Sequence, residues 1–555
     1  MVENNTLLEL DYSCNSKAKR TWLGLLVKLL SLVVIIVLTS YQSPKTNEEY
    51  LGITYSSTDL EYEIFSAVYA LEIEQNQNLL EKLNGLVQTF YLRNDFRPVW
   101  TSSLELNHHL ISLTNLLDSA KYYGFPADYF GGNSIKEFRV EFNETRSLES
   151  RVNLELASTF AALKFMLFMN RGIVGEEQYV NQHDYIESLP ELLASSIGNN
   201  SLRSDILALQ PDFAKFQRIL NSLPHFIDFH SSIKYTTPKF IDDNHLAKAL
   251  FYAGVAQSAE IDTNDNNTKA IAKLQMQFNL PVSATLNRQT HEALVSLLQY
   301  RYYQACLNLH RLRALQNKEE NFLFVNIPEF KLHVVEEKRE LETFNVIVGK
   351  TQTPTPVFSS RIDRVITNPH WTVPKSITSD MLPKIRKDST YLQKNGFYVI
   401  NGREQEVDMA EIDWNSPDPL GNNLWLRQRS SQSNALGLVK FMFPNDYSVY
   451  IHDTPSRNLF NQQTRTFSYG CIRLENPDRL AQYLAERFYS DNSLNVKQLI
   501  SSQVSKEINL VQQVAIHIQY ITCSGKDDTD MEFYGDIYNL DRMEMATVFQ
   551  GQLEI

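Results

Sequence analysis

The hydrophobic period of this chain changes at Asn321, and that change limits the folds open to it. From about Glu61 to Asn221 apolar residues recur at helical spacing, as in "LLEKLNGLVQTFY" and "LELASTFAALKFMLFMNRG", with Gly172 as a C-terminal stop. Beyond Asn321, "NFLFVNIPEFKLHVVEE", "ELETFNVIVGK", "RIDRVITNPHWTVP", "LGLVKFMF" and "YSVYIHDTP" alternate apolar and polar as strands do. A helical half followed by a β-rich half predicts a multidomain α+β protein. The length of 555 residues allows two to four domains.

Smaller features refine that division. "DSAKYYGFPADYF" ends a helix at Gly124 and turns at Pro126. Residues 262–294 read as two short amphipathic helices around a proline-containing turn, and "QYRYYQACLNLHRLRALQ" reads as a further long helix. Between Pro374 and Ala435 strand signals are few, and the stretch is too long for a plain connection, so it reads as an insertion able to fold over a site. The tail, "QQVAIHIQYITC" and "MEFYGDIYNLD", reads as closing strands. Residues 40–60 are polar and irregular, as a tether would be.

Trp22 to Leu38, "WLGLLVKLLSLVVIIVL", sits at the lower length limit of a membrane span. Lys28 lies close enough to one end to snorkel, and Lys17, Lys19 and Arg20 precede the run. The expected layout is a cytoplasmic tail at 1–21, an uncleaved anchor at 22–39, and the remainder outside the cytoplasm. A cleaved signal peptide is the rival, but the leader is long and no small-x-small cleavage site follows Leu38. The net charge of −13, without a basic stripe, excludes a nucleic-acid binder, and contact with an anionic polymer would need a shaped groove.

Chemistry concentrates in Tyr450–Pro477, "YIHDTPSRNLFNQQTRTFSYGCIRLENP". His452 ends an apolar run, and Ser468-Tyr469-Gly470-Cys471-Ile472-Arg473 follows. The four cysteines, Cys14, Cys306, Cys471 and Cys523, show no C-x-x-C spacing; a Cys306–Cys523 bridge stays open, and Cys471 is left as a free thiol. An unperturbed thiol is only about 3% thiolate at neutral pH; an imidazole lowering its pKa to about 6.5 would gain about 25-fold, or about 2 kcal/mol. One oxyanion donor contributes about 3–4 kcal/mol, so the backbone around the thiol matters at least as much. Cys471 is the expected nucleophile, His452 the base, and the N–H groups of Gly470 and Cys471 the expected hole, with Gly470 free to take a strained turn. Arg473 offers a fork for a carboxylate. Ser468 lacks a second base and is the poorer nucleophile. His108 and His109 are adjacent on a helix and do not converge on a metal.

At these residues the sequence resembles the L,D-transpeptidase catalytic-domain family of bacterial cell-wall enzymes, the YkuD-like fold. The family signature is a histidine, a spacer, then Ser/Thr-His-Gly-Cys. Here the 15 residues Asp453–Phe467 separate His452 from "SYGC", and Tyr469 stands where many members carry a second histidine. "FYLRNDFRPVW", "YYGFPADYF", "VIVGKTQTPTPVF", "NPHWTVPKSI" and "NALGLVKFMFPNDYSVYIHDTP" resemble the large, membrane-anchored YcbB-like subgroup. The resemblance implies a helical scaffold at 61–240 and a peptidoglycan-binding-like module at 262–300, with Ser283-Ala284 in place of the usual Asp-Gly at its turn. It further implies a catalytic domain at 320–500 with a capping insertion at 375–434, and C-terminal strands at 501–555. Cys471 would attack the bond between a meso-diaminopimelate L-centre and the terminal D-alanine of a peptidoglycan tetrapeptide stem. The thioester would pass to a second stem, giving a 3→3 crosslink, with no metal or other cofactor. Trp371, Tyr450, Ser468, Tyr469 and Arg473 would contact substrate, and carbapenems would block the cysteine. Implied partners are donor and acceptor stems, the inner membrane, and cell-wall synthases and carboxypeptidases that supply tetrapeptides. The catalytic part would sit in the periplasm. Hydrolysis or lipoprotein anchoring through the same thioester, and a non-catalytic cell-wall-binding scaffold, are the alternatives.

Overall fold

The computed structural model describes residues 55–71, 79–102, 105–126, 128–173, 183–259, 264–315, 319–490 and 493–549; the expected tail and anchor, and residues 40–54 of the tether, lie outside them. The chain divides into two units: Met1–Gln316 with Cys523–Phe533 and Asp541–Ile555, and Asn317–Thr522 with Tyr534–Leu540. The first is mainly helical and the second β-rich, so the architecture is multidomain α+β.

The helix Leu148–Arg171 forms the centre of the first unit. It is buried on nearly every side, and Phe165, Met166, Phe168 and Met169 are all in the core. It is the one described helix long and apolar enough to cross a membrane, yet 78% of its apolar window is buried within the protein. Ser147 caps its start, and Gly172 ends it at φ +73°, where a Cβ would lie 2.6 Å from the His310 carbonyl oxygen. Glu155, fully buried on this helix, accepts hydrogen bonds from the N–H groups of Val99 (2.9 Å), Trp100 (3.0 Å) and Thr101 (2.8 Å) and from the Thr101 hydroxyl (2.7 Å). Burial pushes its carboxyl up while these donors pull it down. The end of "FYLRNDFRPVW" is thereby fastened to the central helix. Cys306 and Cys523 are both buried free thiols, so they form no bridge.

In the 262–300 segment the helices are Asn264–Gln277 and Arg288–Ala314. The expected second short helix and the long one after it are continuous, because no glycine or proline interrupts residues 288–314. Gln275 holds the intervening turn: its carbonyl accepts from the N–H groups of Ser283 (3.0 Å) and Ala284 (2.9 Å). Ala284 has φ +53°, a left-handed conformation that penalises a Cβ. Ala284→Gly is therefore expected to stabilise the protein by about 0.5–1 kcal/mol, read as a rise in the denaturant midpoint.

The second unit is built on a nine-stranded sheet. Its strands are β1 (Phe322–Asn326), β2 (Lys331–Glu336), β3 (Arg339–Gly349), β4 (Phe358–Thr367), β5 (Val439–Met442), β6 (Ile451–His452), β7 (Thr466–Ser468), β8 (Ile472–Leu474) and β9 (Lys506–Gln519). Their order is β7-β3-β8-β6-β5-β4-β9-β1-β2, and a β2–β3 pairing closes the sheet on itself. Val325, Leu332, Val346, Val365, Phe441, Ile451, Ile472 and Ile516 fill its core, and the helix Pro477–Phe488 packs Leu480, Ala481 and Leu484 against it. The tail strand β9 lies inside this sheet, antiparallel to β4 and parallel to β1. Cys523–Asp527 and Asp530–Phe533 form a separate pair, and Leu540–Val548 is a helix where the sequence suggested a strand.

The insertion differs most from expectation. After the helix Lys375–Lys387, three strands of the insertion join Trp371–Thr372, just before it, in a four-stranded antiparallel sheet in the order Trp371–Thr372, Leu424–Gln428, Phe397–Asn401, Glu406–Val407. It has its own core of Val373, Met381, Leu382, Phe397, Val399 and Leu426. The strands are short and separated by polar turns, so period-two alternation barely develops in any of them.

Candidate active site

The site is assembled by register. β6 pairs antiparallel with β5, setting Lys440 opposite His452, and parallel with β8, setting His452 opposite Arg473. Directly paired residues project from the same face, so Lys440, His452 and Arg473 form one row across the sheet. Tyr450 and Cys471 lie two residues before His452 and Arg473, and the Ile472 N–H bonds to the Tyr450 carbonyl at 3.1 Å, carrying the pairing one step further. Cys471 thus faces Tyr450, Lys440 and Arg473. Its Sγ lies 3.8 Å from the Ser448 carbonyl oxygen.

His452 is buried, and its Nδ1 meets the Asp453 carbonyl at 2.5 Å. A carbonyl can only accept, so Nδ1 carries the proton and Nε2 is left with its lone pair, the form a base requires. Burial first, then the cations of Arg473 and Lys440, push the imidazole down to about 3. Burial also pushes the Cys471 thiol up, against the opposing pull of Tyr450, Lys440 and Arg473. The expectation of a thiol lowered by its imidazole is therefore corrected: burial disfavours the charged form of each group, and both rest neutral.

The turn after His452 is fixed by the Asp453 carboxylate. It accepts from the N–H groups of Leu438 (2.8 Å) and Thr454 (2.6 Å) and from Arg457. Gly437, at φ +58°, makes room for it; a Cβ there would stand 2.3 Å from the carboxyl group.

The cysteine turn is fixed from within and from below. Gly470 has φ +107°, open to glycine alone at low cost. Its N–H donates to Ser468 Oγ at 3.2 Å, and the Ser468 hydroxyl donates to the Cys471 carbonyl at 2.5 Å. Two expectations are corrected here. The Gly470 N–H is committed inside the turn rather than free for an oxyanion, and Ser468, only 2% exposed, holds the turn rather than substrate. Beneath, Thr355 Oγ1 donates to the Gly470 carbonyl (2.9 Å) and accepts the Gly349 N–H (2.9 Å). The Tyr538 hydroxyl bonds to the Gly349 carbonyl (2.6 Å) and accepts the Thr355 N–H (3.2 Å). These supports went unread in the sequence; the glycine–threonine–proline run of "VIVGKTQTPTPVF" is the signal that could have drawn attention to them.

The other residues singled out fall around this row. The Tyr450 hydroxyl faces both Cys471 and the Trp371 side chain, so one aromatic pair links the insertion sheet to the thiol. Arg473 is half-buried, its Nε is without a hydrogen bond, and it has no carboxylate partner among the described residues. Tyr469 points elsewhere: it is 51% exposed, its hydroxyl lies 3.4 Å from Asp380 Oδ2 in the helix Lys375–Lys387, and Lys350 Nζ lies 4.6 Å from its ring centre.

Against known families, residues 320–495 match the L,D-transpeptidase catalytic domain. This segment is similar to an L,D-transpeptidase catalytic domain. Residues 85–223 match a family described as a scaffold domain. A curated relative from Haemophilus influenzae, named "Putative L,D-transpeptidase", is 33% identical over 239 residues, which is 42% of this chain. The match spans 47% of that relative's own length. A solved L,D-transpeptidase from Mycobacterium smegmatis is 14% identical over 36% of this chain and 58% of its own, with a TM-score of 0.17. The matched segment covers β1 to β8 and the insertion, and so contains the whole Lys440–His452–Arg473 row.

Proposed function

We propose that the protein is a peptidoglycan L,D-transpeptidase that forms 3→3 meso-diaminopimelate crosslinks through a Cys471 thioester. The observation that carries this is the sheet row: a buried neutral imidazole whose Nε2 keeps its lone pair, a thiol two residues before Arg473, and a guanidinium without an acidic partner among the described residues. Cys471 Sγ attacks the amide carbonyl between the diaminopimelate L-centre and D-alanine while its proton passes to His452 Nε2. The Cys471 N–H and the Tyr450 hydroxyl are the donors placed to meet the oxyanion. An imidazolium destabilised by burial and two cations is a strong acid, suited to protonating the departing D-alanine nitrogen. The side-chain amine of a second stem then attacks the thioester, loses its proton to His452, and restores the thiol. Arg473 is suited to a stem carboxylate, and Trp371 with Tyr450 to a wall of the donor pocket. Residues 22–39 would hold the enzyme in the inner membrane with this site in the periplasm, beside the synthases and carboxypeptidases that supply its substrate.

Incubation with purified disaccharide-tetrapeptide tests this by mass. The expected product is a dimer equal to two substrates less one D-alanine. Tripeptide monomer alone would mean that water resolves the thioester, and unchanged substrate with no carbapenem adduct on Cys471 would mean a non-catalytic scaffold.

A further inference from the structure

On β5, Val439 and Phe441 point into the sheet core, which sends Lys440 to the opposite face, in the row with His452 and Arg473. Its Nζ lies 3.9 Å from the ring centre of Tyr450, a close cation–π geometry. Lys440 is half-buried and has no carboxylate partner among the described residues. The charged and titratable groups facing it are Arg364 from β4, His452 from β6 with Tyr450 just before it, and Arg473 from β8 with Cys471 just before it. Every fixed charge among them is positive. A structural lysine at a sheet face would reach solvent or an acid; this one is held among like charges, against the phenol that faces the thiol. Burial lowers its affinity for a proton, and Cys471 is the neighbour that restores it. His452 is kept neutral, so an imidazolium is not available in the resting site to stabilise a thiolate.

We propose that Lys440 is a positioning residue for Cys471, its ammonium seating the Tyr450 phenol against Sγ and supplying the fixed positive charge that a thiolate at this position needs. This rests on the assignment of Cys471 as nucleophile. Arg473 is left free for the substrate carboxylate, and the two cations divide the work.

Alkylation by iodoacetamide reads the thiolate directly: Sγ displaces iodide, a C–S bond forms, and the thiol proton goes to solvent. Rates are measured across pH on the full chain, with Cys471→Ala as the blank for the other cysteines. In Lys440→Met the rate at about pH 7.5 falls about tenfold and the midpoint of the profile moves up by about one unit, as expected for removal of one nearby charge. Lys440→Arg, which keeps the charge, returns the rate to within about threefold of the parent. If Lys440→Met does not fold by circular dichroism, Lys440→Gln is read the same way. A neutral variant with the parent's rate and midpoint, or an arginine variant no better than methionine, overturns the proposal. The two assignments fail separately. Crosslinking that survives Cys471→Ala removes the nucleophile, whereas a dead Cys471→Ala beside an unshifted Lys440→Met removes only the role of Lys440.

Discussion

Cys471→Ala is expected to abolish dimer formation from disaccharide-tetrapeptide, with a loss of at least about 10³-fold, or about 4 kcal/mol of transition-state stabilisation. The thiol lies on the face that carries His452 and Arg473, and the Ser468 hydroxyl beside it already donates to the Cys471 carbonyl. The change costs little structurally. Cys471 is half-buried, and its hydrogen-bond contact is a long one from Sγ to the Ser448 carbonyl at 3.8 Å. The turn is held instead by Ser468, Thr355 and the φ of Gly470, all retained in the variant. The variant should therefore melt with the parent while giving neither dimer nor carbapenem adduct. Dimer yield comparable to the parent would remove Cys471 from the mechanism.

His452→Gln is expected to lower kcat/KM by about 10²–10⁴-fold, the usual contribution of a positioned base. The pH profile of the parent is the more discriminating measurement. The base works when neutral, and burial holds His452 down to about 3, so it stays neutral as pH falls through the ordinary histidine range. The rate should be flat from about pH 5 to 8, with its acid limb far below 6.5. On the alkaline side the thiol is raised, so no thiolate plateau develops near neutrality. An acid limb centred near 6.5 would show that the imidazole titrates as if solvated, and would contradict the buried neutral pair.

Parts of this site were legible in the sequence because they are local. The spacing of His452 and Cys471, the glycine before the thiol and the arginine two residues after it survive any arrangement of the remaining chain. The period change at Asn321 was equally local, since strand alternation shows wherever one face of a strand is buried. The insertion strands escaped because Glu406–Val407 is two residues long, too short to alternate, and Phe397–Asn401 is buried on both faces along nearly its whole length. Lys440 escaped for a different reason. In "LGLVKFMF" it is an ordinary outward position, and only its pairing with His452 turns it toward the thiol.

By itself the sequence determined the order of the parts: a helical unit, a β-rich unit, and one segment holding imidazole, turn, thiol and cation. Tertiary structure decided their condition. It committed the Gly470 N–H to Ser468, placed Lys440 and Arg473 on either side of His452, and left imidazole and thiol both neutral. The physical reason is that protonation and donor availability depend on burial and on cross-strand neighbours. Here those neighbours come from β5, β6 and β8; β5 and β6 follow one another in the chain, but β8 joins β6 out of chain order, past β7.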